Sequence, residues 1–307
     1  MPRFSIIIPV YNRGRLVCKS IDSAFGQRYS NREIIVVDDG STDGTPEILS
    51  EYGSRIRFIK QNNQGPEVAR NAAAAIAQGD YLVCLDSDDL LMPWALDVYS
   101  KAIDFFQQPK IIIARLEEFV EEADLKAELP ADGLIISCVA YPDYYSKERG
   151  VRTSASAIVI SREAFLSLGG FRQSCPKTFH ADDLDFLLRA GTCGQTVLIE
   201  SPTTVAYRLH NSNSVRNATW IVQGIKKLIA NEFNGKYPGS RTRRLDRQAL
   251  IGSSVIHHVC RCFSRCELSR GTRLLYYGWP MVLSAILRKL QVALKGRQAP
   301  TILGKIS

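Results

Sequence analysis

The sequence predicts an α/β fold, with a mainly parallel sheet flanked by helices and a helical C-terminal extension. Three observations carry it. Apolar strand-like runs alternate with helical stripes over the first 90 residues, a spacing that calls for parallel strands joined by crossover helices. Two of those strands end in aspartate clusters, Asp38-Asp39 and Asp86-Ser87-Asp88-Asp89, where an open sheet presents its ligands. From about Trp220 onward the pattern is helical throughout.

The elements follow in order. Phe4–Pro9 reads as a strand, Val10–Gly14 as a turn, and residues 15–25 as a helix through Leu16, Val17, Ile21, Ala24 and Phe25. Glu33–Val37 is the second strand. Thr45-Pro46-Glu47 opens a helix, with Thr45 as its cap and proline at the first position. Ile56–Lys60 is the third strand, Pro66–Gln78 an alanine-rich helix, and Tyr81–Leu85 a buried strand. Beyond it, Trp94–Phe106 is helical and Lys110–Leu116 a strand. Residues 117–124 form an acidic, solvated run. Thr153–Ile160 reads as a strand and Arg162–Leu168 as a short helix. Gly169-Gly170-Phe171 makes a turn, Phe179–Ala190 a helix, and Thr196–Ile199 and Thr203–His210 strands. Tyr237-Pro238-Gly239-Ser240 breaks the helical tail. Two regions are expected, 1–215 for the α/β domain and 216–307 for the basic helical part.

Charge divides the same way. Residues 216–307 carry 17 Lys and Arg against 3 Asp and Glu, and residues 1–215 carry 22 against 28. A basic segment suits an anionic partner. No basic run alternates with stacking aromatics on a nucleic-acid module, so no nucleic acid is expected. The eight cysteines are scattered, and the chain opens Met-Pro-Arg-Phe-Ser without a charged-then-apolar leader. Both point to free thiols in a reducing cytoplasm. Leu274–Leu287 carries Tyr276, Tyr277 and Trp279, with cations on either side. It is too short to span a bilayer. It suits a helix lying in a membrane surface, over residues 270–297, or one packed on the core or a homodimer partner.

Several residues have two readings each. Asp86-x-Asp88 puts two carboxylates on one side of an extended segment, able to share a divalent ion; Asp88 or Asp89 also suits a helix cap. Asp39 suits a base or ribose contact, or an Asx turn before Gly40. Arg70 faces a nucleobase or pyrophosphate, or solvent. Asp182-Asp183-Leu184-Asp185 supplies a general base, or acids favoured by a helix N-terminus. His210 at a strand end is structural or a metal ligand. The turn after strand one is not Gly-x-Gly-x-x-Gly, and Gly-x-x-x-x-Gly-Lys-Ser/Thr is absent. Without a glycine cradle for phosphates, a metal at Asp88 becomes the more useful device. His257-His258-x-Cys260-x-Cys262-x3-Cys266 fits no common zinc framework.

Six motifs in order make the chain resemble the family 2 glycosyltransferases, from Ser5 to about Ser214. They are Ser5–Asn12, Val36–Thr45, Leu85–Asp89, Gly169-Gly170-Phe171, Asp182–Asp185 and the His210 strand. The resemblance implies a GT-A (Rossmann-like) fold and a nucleotide-sugar donor, often uridine-linked. It implies that Pro9, Tyr11 and Asp39 line the base pocket with Arg70 nearby, and that Asp86 approaches the ribose or sugar. Asp88 would ligate Mn²⁺ or Mg²⁺, with His210 helping there, and Asp183 would take the acceptor proton. The family usually has Glu-Asp where this chain has Asp182-Asp183, which shortens the acceptor-side contact at Asp182. The implied reaction is an inverting transfer to a glycan or lipid-linked acceptor in surface polysaccharide or glycolipid synthesis. It would run in the cytoplasm, peripheral to the inner face of the cell membrane. A nucleotide-sugar-binding protein without transfer activity is the other expectation, and it would not need Asp183. A nucleotidylyltransferase would need a glycine-rich basic loop after strand one, which is missing.

Overall fold

The computed structural model describes residues 1–125, 133–148, 154–173, 181–210, 218–264 and 266–306. In the first half the elements are β1 (Phe4–Val10), α1 (Leu16–Phe25), β2 (Arg32–Asp38), α2 (Thr45–Ser50), β3 (Arg57–Lys60), α3 (Pro66–Ile76), β4 (Tyr81–Cys84), β5 (Leu90–Leu91) and α4 (Ala95–Phe105). The second half continues with β6 (Ile111–Ile113), β7 (Leu116–Phe119), β8 (Leu134–Tyr141), β9 (Ile158–Ser161), α5 (Arg162–Ser167), α6 (Asp182–Arg189), β10 (Thr196–Ser201) and β11 (Val205–Arg208). Helices α7 (Ala218–Phe233), α8 (Arg244–Ser264) and α9 (Leu268–Lys295) and strand β12 (Thr301–Ile306) complete the chain.

A nine-stranded sheet runs β12-β8-β10-β6-β9-β4-β1-β2-β3. The pairing directions make seven strands run one way, with β8 and β9 opposed. Its twofold side-chain alternation splits the core. Phe4, Ile6, Ile8 and Val10 of β1 face one layer with Val17, Ile21 and the α4 residues. Ile7 faces the other with Ala69 and Ala73 of α3 and Phe165, Phe186 and Leu187. Such buried parallel strands read as continuous apolar runs for this reason. β1 lies between β2 and β4 with all three parallel. Their C-terminal ends therefore deliver Asp38-Asp39 and Asp86–Asp89 to one edge.

Several expectations are corrected. Thr45 is the first helical residue and not the cap; Gly44 holds the cap position, and Asp43 Oδ1 accepts from Thr45 N at 3.0 Å. The Thr45 hydroxyl instead accepts from the Arg13 and Gly14 amides at 3.1 and 2.8 Å. Asp89 does not cap α4, because β5 and a turn intervene and Trp94 holds that position. The acidic run is not all solvated surface: Leu116–Phe119 pairs with β11 in a small second sheet, β5-β11-β7. Strand β8 was not expected. The tail is not helical throughout either, because β12 returns to pair antiparallel with β8. Thr153, Cys175, Phe179, His180 and Ser214 lie outside the described residues.

The tail has its own small core of Ile221, Ile225, Val255, Val259, Cys262 and Leu274. It also shares Leu228, Tyr237, Ile251 and Met281 with the layer beneath α3 and α6. Helices α8 and α9 approach closely because a glycine on each opens the contact, Gly252 against the Met281 backbone and Gly278 against the Val255 side chain. A Cβ built on Gly252 would run into the Met281 carbonyl. Gly252→Ala must push the helices apart, and overpacking of this kind costs roughly 1–3 kcal/mol. Thermal unfolding checks this: a midpoint unchanged from wild type would mean the hairpin is looser than described.

Candidate active site

The site is built on three carboxylates at the end of β4, each with different partners. Asp86 meets Arg70 of α3, whose Nη2 lies 2.5 Å from Asp86 Oδ1. The other guanidinium nitrogen reaches Asp182 Oδ2 of α6 at 3.1 Å. Arg70 is only 4% exposed and its guanidinium lies 5.1 Å from the Phe171 ring centre. Burial works against its charge, but Asp86 and Asp182 outweigh that and keep it protonated. The sequence offered Arg70 as a group facing a base or solvent. The structure places it as a clamp between the β4 end and the acidic helix.

Asp88 accepts at Oδ2 from Arg13 Nη2 at 3.0 Å and lies 2.9 Å from His210 Nε2. Burial alone would raise its pKa, but the His210 hydrogen bond and the Arg13 charge hold the carboxyl below its usual range. Asp89 is 1% exposed and accepts from the Arg208 amide at 3.0 Å and from the Ser156 hydroxyl at 2.6 Å. Burial first, then Asp88 and Asp86, push it well above the ordinary carboxylate range. Ser156 also accepts from the Asp86 amide at 3.0 Å. Asp89 is thus a strut that fixes the turn against β11, while Asp88 is the carboxylate kept ionised. Arg208 Nε adds a bond to the Asp88 carbonyl at 3.0 Å.

Asp39 ends β2 with its carboxylate already engaged. Oδ1 accepts from Gln61 Nε2 at 2.7 Å and Gln64 N at 2.9 Å, and Oδ2 from Gly65 N at 2.8 Å. It locks the loop before α3 to the end of β2. Pro9 is buried in β1, paired with Val37, whereas Tyr11 stands 45% exposed at the strand's end. Asn12 accepts the Thr42 amide at 2.8 Å and the Ser41 hydroxyl accepts the Asn12 amide at 2.9 Å. These bonds zip the two strand-end loops together and aim Arg13 at Asp88.

Asp183 lies in the first turn of α6, half-buried, with Oδ1 accepting from its neighbour Leu184 N at 2.7 Å. Burial and then the adjacent Asp182 push its carboxyl up to about 7. That places it where a general base can exchange protons near neutral pH. Tyr144 is fully buried within the field of the Asp183 charge. The structure therefore brings Asp86, Arg70, Asp182 and Asp183 into one linked group, and Asp88, His210 and Arg13 into another. The two groups meet in the Asp86–Asp89 turn. Arg13, Ser156 and Arg208 were missed from the sequence. Arg13 and Ser156 sit in segments read only as a turn and a strand, and no local spacing reveals such distant partners.

A carboxylate held ionised beside an imidazole suits a divalent cation such as Mn²⁺. Among the described residues no three acidic, His or Cys side chains are arranged to hold an ion alone. Two protein ligands would leave the remaining positions to phosphate oxygens and water.

The family model of glycosyl transferase family 2 matches residues 5–160. An uncharacterized glycosyltransferase of Haemophilus influenzae is 30% identical over 256 residues, covering 76% of this chain and 97% of that protein. The Escherichia coli protein WfaP, named as a UDP-Glc:alpha-D-GlcNAc-diphosphoundecaprenol beta-1,3-glucosyltransferase, is 39% identical over 124 residues. That match covers 40% of this chain and 48% of WfaP. Among solved structures, S. aureus TarS 1–349 in complex with UDP-GlcNAc superposes with a TM-score of 0.63 at 15% identity, over 92% of this chain and 81% of that one. The mannosyltransferase PcManGT of Pyrobaculum calidifontis, in complex with GDP-Man and Mn²⁺, gives 0.53 at 18% identity, over 97% and 88%. At these identities the two structures establish the shared fold.

Proposed function

The chain belongs to glycosyl transferase family 2, and from that premise we propose that it moves a sugar from a uridine-diphosphate sugar to an acceptor hydroxyl with inversion. The observation that carries this reading is the Arg70 clamp. It ties the carboxylate of the β4 end, Asp86, to the acidic helix that holds Asp183. Donor-side and acceptor-side carboxylates are thereby held in register by one buried guanidinium. UDP-linked donors are named for WfaP and bound in TarS, which supports the uridine choice.

In this reading Pro9, Tyr11 and Asp39 border the base, and Asp86 approaches the ribose or sugar. Asp88 and His210 hold the divalent ion, Mn²⁺ or Mg²⁺. When bound, that ion supplies positive charge to the diphosphate leaving group. Asp183 accepts the proton of the attacking hydroxyl, and Asp182 and Arg70 keep it in place. One base on the acceptor side supports a single displacement, which inverts the anomeric centre as in a one-step glycosidase. Residues 1–215 carry this chemistry. The diphosphoundecaprenol in WfaP's name supports a lipid-linked acceptor, and with it work at the inner face of a membrane in envelope glycan synthesis.

The test is UDP release from UDP-sugars with a lipid-diphosphate sugar acceptor, with Mn²⁺ varied and the product's anomeric configuration read by NMR. Asp88→Asn is expected to lower transfer about 10³-fold, since it removes the charge that anchors the ion. UDP binding should lose its Mn²⁺ dependence in calorimetry. Equal turnover with and without chelator in the wild-type chain would refute the metal assignment, and a retained anomeric configuration would refute the single displacement.

A further inference from the structure

Helix α9 has two unlike faces. Gly271, Leu274, Gly278, Met281, Ser284 and Ala285 are buried. At about 100° per residue, the opposite face carries Leu275, Tyr276, Trp279, Leu283, Ile286, Leu287, Leu290 and Leu294. Each of these is at least 40% exposed. Together they cover an arc of about 120°. Polar residues normally line such a face on a solvated helix, and a contiguous exposed apolar patch of this extent marks an interaction surface.

The charges around it say what covers it. Residues 268–307 hold seven Lys and Arg and not one Asp or Glu. Arg273 and Lys289, both exposed, flank the stripe on its two sides. A second copy of this face would set like charge against like charge. An anionic lipid surface supplies the complementary charge and an apolar interior together. Trp279 and Tyr276, 59% and 76% exposed, are the amphipathic aromatics that settle at a bilayer interface. No helix among the described residues is long and apolar enough to cross a membrane, so α9 would lie in the surface plane.

We propose that the Leu275–Leu294 stripe of α9, with Arg273 and Lys289 at its margins, docks the protein on an anionic lipid bilayer. This rests on the transferase reading above and adds the physical surface through which it would meet a lipid-linked acceptor. The placement is economical. Arg288 of α9 pairs with Asp246 and donates to the Tyr145 carbonyl at 3.0 Å. Tyr144, the preceding residue, lies in the field of Asp183. Tyr145 also donates its hydroxyl to the Leu188 carbonyl of α6, so the docking helix and the helix that carries Asp183 are joined through the Tyr144–Tyr145 segment.

Vesicle flotation tests it. The full chain is mixed with phosphatidylglycerol–phosphatidylcholine vesicles or with pure phosphatidylcholine vesicles at low salt. The expected result is binding to the anionic vesicles at least tenfold stronger than to neutral ones. Trp279→Ser/Leu283→Ser/Leu290→Ser should lower that binding at least tenfold with an unchanged thermal midpoint, since all three side chains point outward. Arg273→Gln/Lys289→Gln, which leaves the apolar stripe intact, should reduce the anionic preference and keeps the question open to a second variant if the triple change misfolds. Failure of the wild-type chain to float with anionic vesicles would overturn the proposal. So would a lipid-free dimer, seen by light scattering, that the triple change dissolves. UDP release measured on the same preparation without vesicles separates the two ideas, since its loss counts against sugar transfer and leaves the flotation result standing.

Discussion

Asp183→Asn is expected to lower sugar transfer by about 10³-fold or more, in line with loss of a positioned general base, while donor binding stays within about threefold. The wild-type rate should rise with pH through about 7, because the base works only when deprotonated and its carboxyl is pushed up to about 7. The stability consequence has the opposite sense. A carboxyl raised in the folded state costs nothing below its unfolded value; the penalty builds as pH rises above that value and is complete once pH has passed about 7. The asparagine variant should therefore be more stable relative to wild type at pH 8 than at pH 5. Initial rates with saturating donor, together with urea unfolding at pH 5 and 8, test both halves. A variant that folds and keeps full turnover would remove Asp183 from the reaction.

The second large effect belongs to Arg70. Arg70→Met leaves Asp86 and Asp182 facing one another without their shared guanidinium. Removing one partner of a buried ion pair costs about 3–5 kcal/mol, visible as a lower urea midpoint at pH 7. Lysine restores the charge but not the fork that reaches both carboxylates, so Arg70→Lys should recover less than half of the loss. Adding Asp182→Asn to Arg70→Met should recover part of it, because one stranded charge is gone. A loss below about 1 kcal/mol for Arg70→Met would show that solvent already screens the cluster.

The strands that carry the site were legible because they are buried on both faces. The buried stretches Phe4–Val10, residues 34–37 and Tyr81–Cys84 are mainly apolar, and the aspartates that follow the second and third end them visibly. The six motifs in order added the family, and with it the pairing of Asp88 with His210. The structure sets those two 2.9 Å apart although 122 residues separate them. What stayed hidden was set by distant partners. Arg13 reaches Asp88 only because the Thr45 hydroxyl and Asn12 pin its loop. Arg70's second carboxylate lies 112 residues away. β7 reads Leu-Glu-Glu-Phe, with two exposed acids on a strand that is paired on one side only. β12 carries a glycine, and none of residues 301–305 is buried, so it is a strand only because β8 offers it an edge.

That last pairing bears on the order in which the molecule can assemble. The hairpin of α8 and α9 is local in sequence and can form as soon as its helices exist. β8 and β12, by contrast, are separated by roughly 160 residues, and closing so wide a loop is slow. Until it closes, β8 shows a row of unmet amides to whatever strand passes. During synthesis the same edge stays bare until Thr301–Ile306 has left the ribosome. Pairing of β12 is what covers that edge of β8.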